Sequence, residues 1–183
     1  SFYNTGLINV DLNSVIKLNL NNDDGKQFAY CQNLTHVTMK SVEMIQNSMF
    51  ENCDKLIYVD FPNVTFIGVK SFIGCHSLNN ITFPKLKSIG ISSFKGNQGI
   101  TTLNLDKVEI INEYSFQNCQ NLKRIEFINC KWIYDCAFQN CNQLQEVELP
   151  KVDMLRGSVF ENTGIIKIEL NSLIYLRLSK HFL

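Results

Sequence analysis

The sequence predicts a mainly β solenoid of about eight 22-residue repeats. A parallel sheet should run along one face, with only short turns or 3-10 segments elsewhere. Three observations predict it. Phenylalanine recurs every 22 residues, at Phe28, Phe50, Phe72, Phe94, Phe116, Phe138 and Phe160. Between successive phenylalanines the same columns are apolar in copy after copy. Each copy holds one short stretch that alternates like a half-buried strand, and none shows helical periodicity over 11 or more residues. A fixed period of this length is the signature of stacked supersecondary units, each burying the apolar side chains of its neighbours.

Counting from each phenylalanine as position 0, the elements follow in order. A tight turn is expected around the phenylalanine itself. Position 3 is cysteine in five copies: Cys31, Cys53, Cys75, Cys119 and Cys141. Position 6 is Leu34, Leu56, Leu78, Ile100, Leu122 and Leu144, and opens the strand. Position 9 (Val37, Val59, Ile81, Leu103, Ile125, Val147) and position 11 (Met39, Phe61, Phe83, Leu105, Phe127, Leu149) point inward. Stacked parallel strands lie about 4.8 Å apart, so eight make a sheet about 38 Å long. Pro62, Pro84 and Pro150 stand at position 12, where a residue without an amide donor ends the ladder. A second short extended piece is expected around positions 14 to 18, with position 14 (Val42, Val64, Leu86, Val108, Cys130, Val152) and position 17 in the core. Position 16 (Met44, Phe66, Ser88, Ile110, Trp132, Met154) reads as a tucked-in edge of that core, with an exposed apolar strip the alternative.

The first and last copies are variants of each other. Residues 2–20 and 160–178 are identical at eleven of 19 positions. In the first copy five extra residues follow, with Asp23, Asp24 and Gly25 expected to form a surface turn. Residues 1–183 are expected to be one repeat domain, a fragment of a longer array; a variant repeat used where the stack changes direction is the alternative reading of the two matching copies.

Composition narrows the function. Seventeen basic and seventeen acidic residues leave a formal net charge of +0. A nucleic-acid binder would carry a basic stripe, so neither nucleic acid nor a polybasic membrane surface is expected. The apolar runs are too short for membrane insertion. The seven cysteines read as buried free thiols behaving as small hydrophobes, with no disulfide within the position-3 ladder. Their spacing holds no CxxC, and neither metal nor cofactor is expected. The histidines are His36, His76 and His181. In a turn the adjacent Cys75 and His76 should diverge, and no nucleophile–base motif appears, so an enzyme is not expected.

Position 10 lies between two inward residues and must point outward. Read down the stack it is Asp11, Thr38, Asp60, Thr82, Asn104, Glu126, Glu148 and Glu169, five acidic and none basic. Position 8 beside it includes Tyr58, Arg124 and Glu146. These two columns tile an extended face of the kind solenoids use to bind proteins. The candidate protein-binding residues are therefore Asp11, Tyr58, Asp60, Asn104, Arg124, Glu126, Glu146, Glu148 and Glu169. Glu126 and Glu148 are expected to repel across neighbouring strands. A plain solvated face is the alternative.

The pattern LxxVxL, extended to LxxVxLPxVxxIxxxSFxNC, resembles the BspA-like class of leucine-rich repeats. Residues 56–75 (LIYVDFPNVTFIGVKSFIGC) follow it closely, and the resemblance covers essentially the whole chain. Position 14 is apolar where the commonest leucine-rich repeats carry asparagine, so no asparagine ladder is expected. The copy at Phe94 departs by carrying Asn97 in place of cysteine. The resemblance implies a non-catalytic protein-binding module at a cell surface, such as an adhesin or host-interaction protein. Free cysteines are commoner in reducing compartments, which leaves an intracellular scaffold or regulator open. The protein partner, localisation and oligomeric state stay unassigned at this stage.

Overall fold

A computed structural model of the chain describes residues 1–13 and 25–178. The turn expected at Asp23 and Asp24 lies outside the described residues, as does His181. In the remainder the copies contribute one short strand to each of two faces, joined by turns.

The first face holds β1 (Asn9–Asp11), β2 (His36–Thr38), β4 (Tyr58–Asp60), β6 (Asn80–Thr82), β8 (Thr102–Asn104), β10 (Arg124–Glu126), β12 (Glu146–Glu148) and β14 (Lys167–Glu169). The second holds β3 (Met44–Ile45), β5 (Phe66–Ile67), β7 (Ser88–Ile89), β9 (Ile110–Ile111), β11 (Trp132–Ile133), β13 (Met154–Gly157) and β15 (Tyr175–Leu178). All pairing is parallel, and the register joins equivalent positions, such as Val37 with Val59 and Ile67 with Ile89. No helix occurs among the described residues. The linking segments are turns rather than the 3-10 pieces allowed for. Six intervals of 22 residues separate Phe28 from Phe160, flanked by two divergent copies.

The core is a set of columns. The position-0 phenylalanines stack ring on ring from Phe2 to Phe160, with centroids 5.2 to 5.7 Å apart and planes within 15°. Phe61, Phe83 and Phe127 from position 11 pack against this ladder. Such offset aromatic pairs stabilise beyond the area they bury. Leu34, Val37, Leu56, Val59, Leu122, Ile125 and Leu144 are fully buried. Ile81, expected inside with them, is only partly buried.

The turn around each phenylalanine is itself hydrogen-bonded from copy to copy. The amides of Phe50, Phe72, Phe94 and Phe116 donate to the carbonyls of Ser71, Ser93, Ser115 and Ala137, each at 2.8 Å. To make this turn the backbone enters the left-handed region twice. Position 2 does so in every copy, from Asn4 (φ 52°) to Asn162 (φ 55°), with Gly74 and Gly96 in two of them. Position 20 does so at Ser48, Lys70, Ser92, Tyr114 and Cys136. Asparagine and glycine tolerate that conformation best, which is the physical reason for the Asn of the FxNC signature.

A short amide column stands at position 2, where Asn140 donates to Asn118 and Asn162 to Asn140, each at 2.9 Å. One further expectation needs correction. Position 16 is not tucked in. Met44, Phe66 and Trp132 are all more than a third exposed, while Ser88, Ile110 and Met154 in the same column are half-buried, so the apolar strip on the second face is interrupted at Ser88.

The sheet of the first face is interrupted. It consists of two four-stranded sheets, β1-β2-β4-β6 and β8-β10-β12-β14, while the second face is one continuous seven-stranded sheet.

Candidate protein-binding face

Alternation along the strands of the first face turns positions 8 and 10 out and position 9 in, buried except at Ile81, which is half-buried, and Ile168 in the terminal strand β14, which is exposed. Strand register then fixes which side chains are neighbours. Glu126 lies between Asn104 and Glu148, and Glu148 between Glu126 and Glu169. Arg124 lies beside Glu146, and Glu146 beside Lys167. In the other half Asp11 and Asp60 both face Thr38, and Tyr58 sits between His36 and Asn80. The His36 and Tyr58 rings are 5.9 Å apart.

The nine candidate residues are therefore on one face, but in two groups. Asp11, Tyr58 and Asp60 lie on the first four-stranded sheet; Asn104, Arg124, Glu126, Glu146, Glu148 and Glu169 lie on the second.

The expected repulsion between Glu126 and Glu148 is answered within the chain. The Arg124 guanidinium donates to Glu148 at 2.8 Å, to Glu126 at 3.2 Å and also to Glu146. Its planar fork presents five donors in a fixed geometry, so it serves several carboxylates at once. Glu146, then Glu126 and Glu148, hold the guanidinium above its ordinary pKa, so it stays charged throughout the accessible pH range. Lys167 does the same for Glu169 at 2.9 Å, and its own pKa is raised by that bond. Four carboxylates thus share two cations, and the cluster carries two uncompensated negative charges. Glu126 and Glu148 are half-buried beneath Arg124, with side chains 29% and 26% exposed. Glu146 and Glu169 stand further out.

The cysteines line the core edge, away from this face. All seven are free. Along position 3 each thiol donates to the carbonyl of the phenylalanine one copy earlier: Cys53 to Phe28, Cys75 to Phe50, Cys119 to Phe94 and Cys141 to Phe116, at 3.0 to 3.3 Å. Burial pushes the thiols of Cys53, Cys130 and Cys141 up to about 12, and raises Cys75 and Cys119 well above their usual value. Such thiols are poor nucleophiles. Cys75 is buried while its neighbour His76 is exposed and pairs with Asp54 at 2.7 Å, so the two side chains diverge.

Sequence reasoning missed the interruption of the face. The signal was present at Asn97 and Gly99, the two residues that depart from the repeat just before β8.

Comparison with known proteins agrees with this geometry. No curated protein sequence matches the chain significantly. Among solved structures, a leucine-rich repeat protein of T. pallidum superimposes with a TM-score of 0.70 at 28% identity, covering 75% of this chain and 67% of that one. A leucine-rich repeat protein from Bacteroides ovatus gives a TM-score of 0.50 at 29% identity, covering 74% of this chain and 43% of that one. The profile of the BspA type leucine rich repeat region, in six copies, matches residues 1–79 and 65–180. With the repeat, the columns and these matches together, the chain belongs to the BspA-type leucine-rich repeat family.

Proposed function

We propose that the chain is a non-catalytic protein-binding module and that the first face is its binding surface. The observation that carries the reading is the carboxylate cluster around Arg124. The side chains are held in place on a rigid sheet, with two negative charges left over, so a basic patch on a partner meets a preformed site. The family supports a role in adhesion or host interaction at a cell surface. Seven free thiols, six of them buried, favour the second reading, an intracellular scaffold using the same face.

The test is to place a photo-crosslinking residue at Glu146 on this face and, separately, at Gln120 on the turn side. Adducts with one discrete partner from position 146 alone support the surface. Adducts from position 120 alone would move it elsewhere. Recovering the partner from intact cells before and after surface biotinylation separates the two localisations.

A further inference from the structure

Two backbone rungs recur along the first face. The position-7 amide donates to the position-7 carbonyl of the preceding copy: Ile57 to Thr35, Asn79 to Ile57, Lys123 to Thr101, Gln145 to Lys123. The position-11 amide donates to the position-10 carbonyl of the following copy: Met39 to Asp60, Phe61 to Thr82, Phe127 to Glu148. Between β6 and β8 neither rung forms; the position-11 rung is also absent from Leu105 to Glu126, although β8 and β10 pair there. The amides of Thr101 and Phe83 and the carbonyls of Asn79 and Asn104 have no backbone partner among the described residues.

The gap is wide. No Cα of β6 lies within 8 Å of a Cα of β8, whereas paired strands sit about 4.8 Å apart. At its C-terminal end it opens into a cavity of about 290 Å³ lined by residues 81–84 and 104–107, among them the apolar Ile81, Phe83 and Leu105 and the charged Asp106 and Lys107. The opening is one-sided. Behind it β7 still pairs with β9, and Phe72 still stacks on Phe94 at 5.2 Å.

Asn97 and Gly99 stand in the loop that leads into the opening. Where five other copies carry a thiol, the Asn97 side chain donates to the Cys75 carbonyl at 2.7 Å and accepts from the amides of Gly99 and Ile100. A Cβ on Gly99 would stand 2.5 Å from the Leu78 carbonyl oxygen, so the chain presses onto the preceding coil there. It diverges from that coil immediately afterwards, at Thr101.

We propose that this gap is a slot for an extended segment of a protein partner, which adds as a strand between β6 and β8. Inserting one strand requires about 9.6 Å between its neighbours, and only a backbone presents donors and acceptors to both walls at once. The walls are three residues long, so the segment is short. Alternation gives it one apolar side chain pointing in, onto Ile81, Phe83 and Leu105. Its flanking side chains point out beside Asn80, Thr82, Thr102 and Asn104, none of them charged, and are small and polar. The slot shares its face with the surface proposed above, and rests on that reading only for the choice of face, since it uses none of the carboxylates.

The probe is a capped synthetic peptide of residues 34–39, LTHVTM, which already serves as a strand in this sheet. Amide exchange is measured on the full chain with and without it. The slot predicts that the Thr101 and Phe83 amides exchange at least about tenfold more slowly at saturation. An E126Q/E148Q variant should bind the peptide as the parent does, which separates this proposal from the carboxylate surface. N97C/G99S, which restores the usual loop, should close the sheet and lose the peptide. Should that variant not fold, T101P removes one donor while leaving the Lys123–Thr101 bond intact, and should bind at least about tenfold more weakly. The proposal is overturned by protection at the outer edges β1 or β14 instead of the slot, by no protection at millimolar peptide, or by unchanged binding in N97C/G99S or T101P.

Discussion

Asn140 shows how one residue type serves two needs of the repeat. Its φ of 61° is left-handed, and its amide donates to Asn118 while accepting from Asn162. Asn140→Ala should cost about 1–2 kcal/mol, because it strains the backbone and breaks the amide column. Asn140→Gly keeps the conformation and loses only the column, so it should cost less. Urea denaturation of both variants ranks them, and equal losses would mean that backbone conformation is irrelevant. The buried thiols make a second residue-scale prediction. Their folded pKa lies above the usual 9.0, so the unfolded chain releases protons first as pH rises. Stability is therefore complete below about pH 9 and is lost between about 9 and 12, by up to about 1.4 kcal/mol per pH unit for each thiol. Unfolding midpoints at pH 8, 9 and 10 should fall progressively, and Cys130→Val should make the fall shallower. A midpoint flat to pH 11 would contradict the assignment.

At the scale of the element, the phenylalanine turn ties adjacent coils together. Phe72 is fully buried between Phe50 and Phe94, at 5.3 and 5.2 Å. Phe72→Ala should cost about 3–5 kcal/mol. A loss below about 1 kcal/mol in denaturant unfolding would show that the stack is not the core. The strands were legible in the sequence, because a period of two superposed on a period of 22 leaves one register that buries Val37, Val59, Ile125 and Val147 together. Three things were less legible. Letters show that position 2 is Asn or Gly in every copy except that of Tyr30, but not that the backbone there is left-handed. Met44, Phe66 and Trp132 are apolar yet exposed, since their strands are two residues long and position 17 alone faces inward. The gap after β6 is a matter of spacing between coils, which no pattern of letters encodes.

For the whole molecule, repetition places like residues side by side, and the face carries the consequence. The columns of positions 8 and 10 were readable as a surface. The balance of charge within them was not, because Arg124 reaches three carboxylates on two strands. Arg124→Gln should lower the unfolding midpoint at low ionic strength and approach the parent in molar salt, where exposed charges are screened. A difference independent of salt would show that the residue acts by packing instead. The stack itself, in which residues 22 apart lie one coil apart, is tested most directly by a distance across many coils. Asn33 and Gln143 are exposed and occupy the same position five coils apart. Spin labels at these two sites, with Cys136 replaced by serine, should report one narrow distance near 24 Å by electron–electron resonance, from five spacings of about 4.8 Å. A broad distribution, or a distance beyond about 40 Å, would contradict the stacked solenoid.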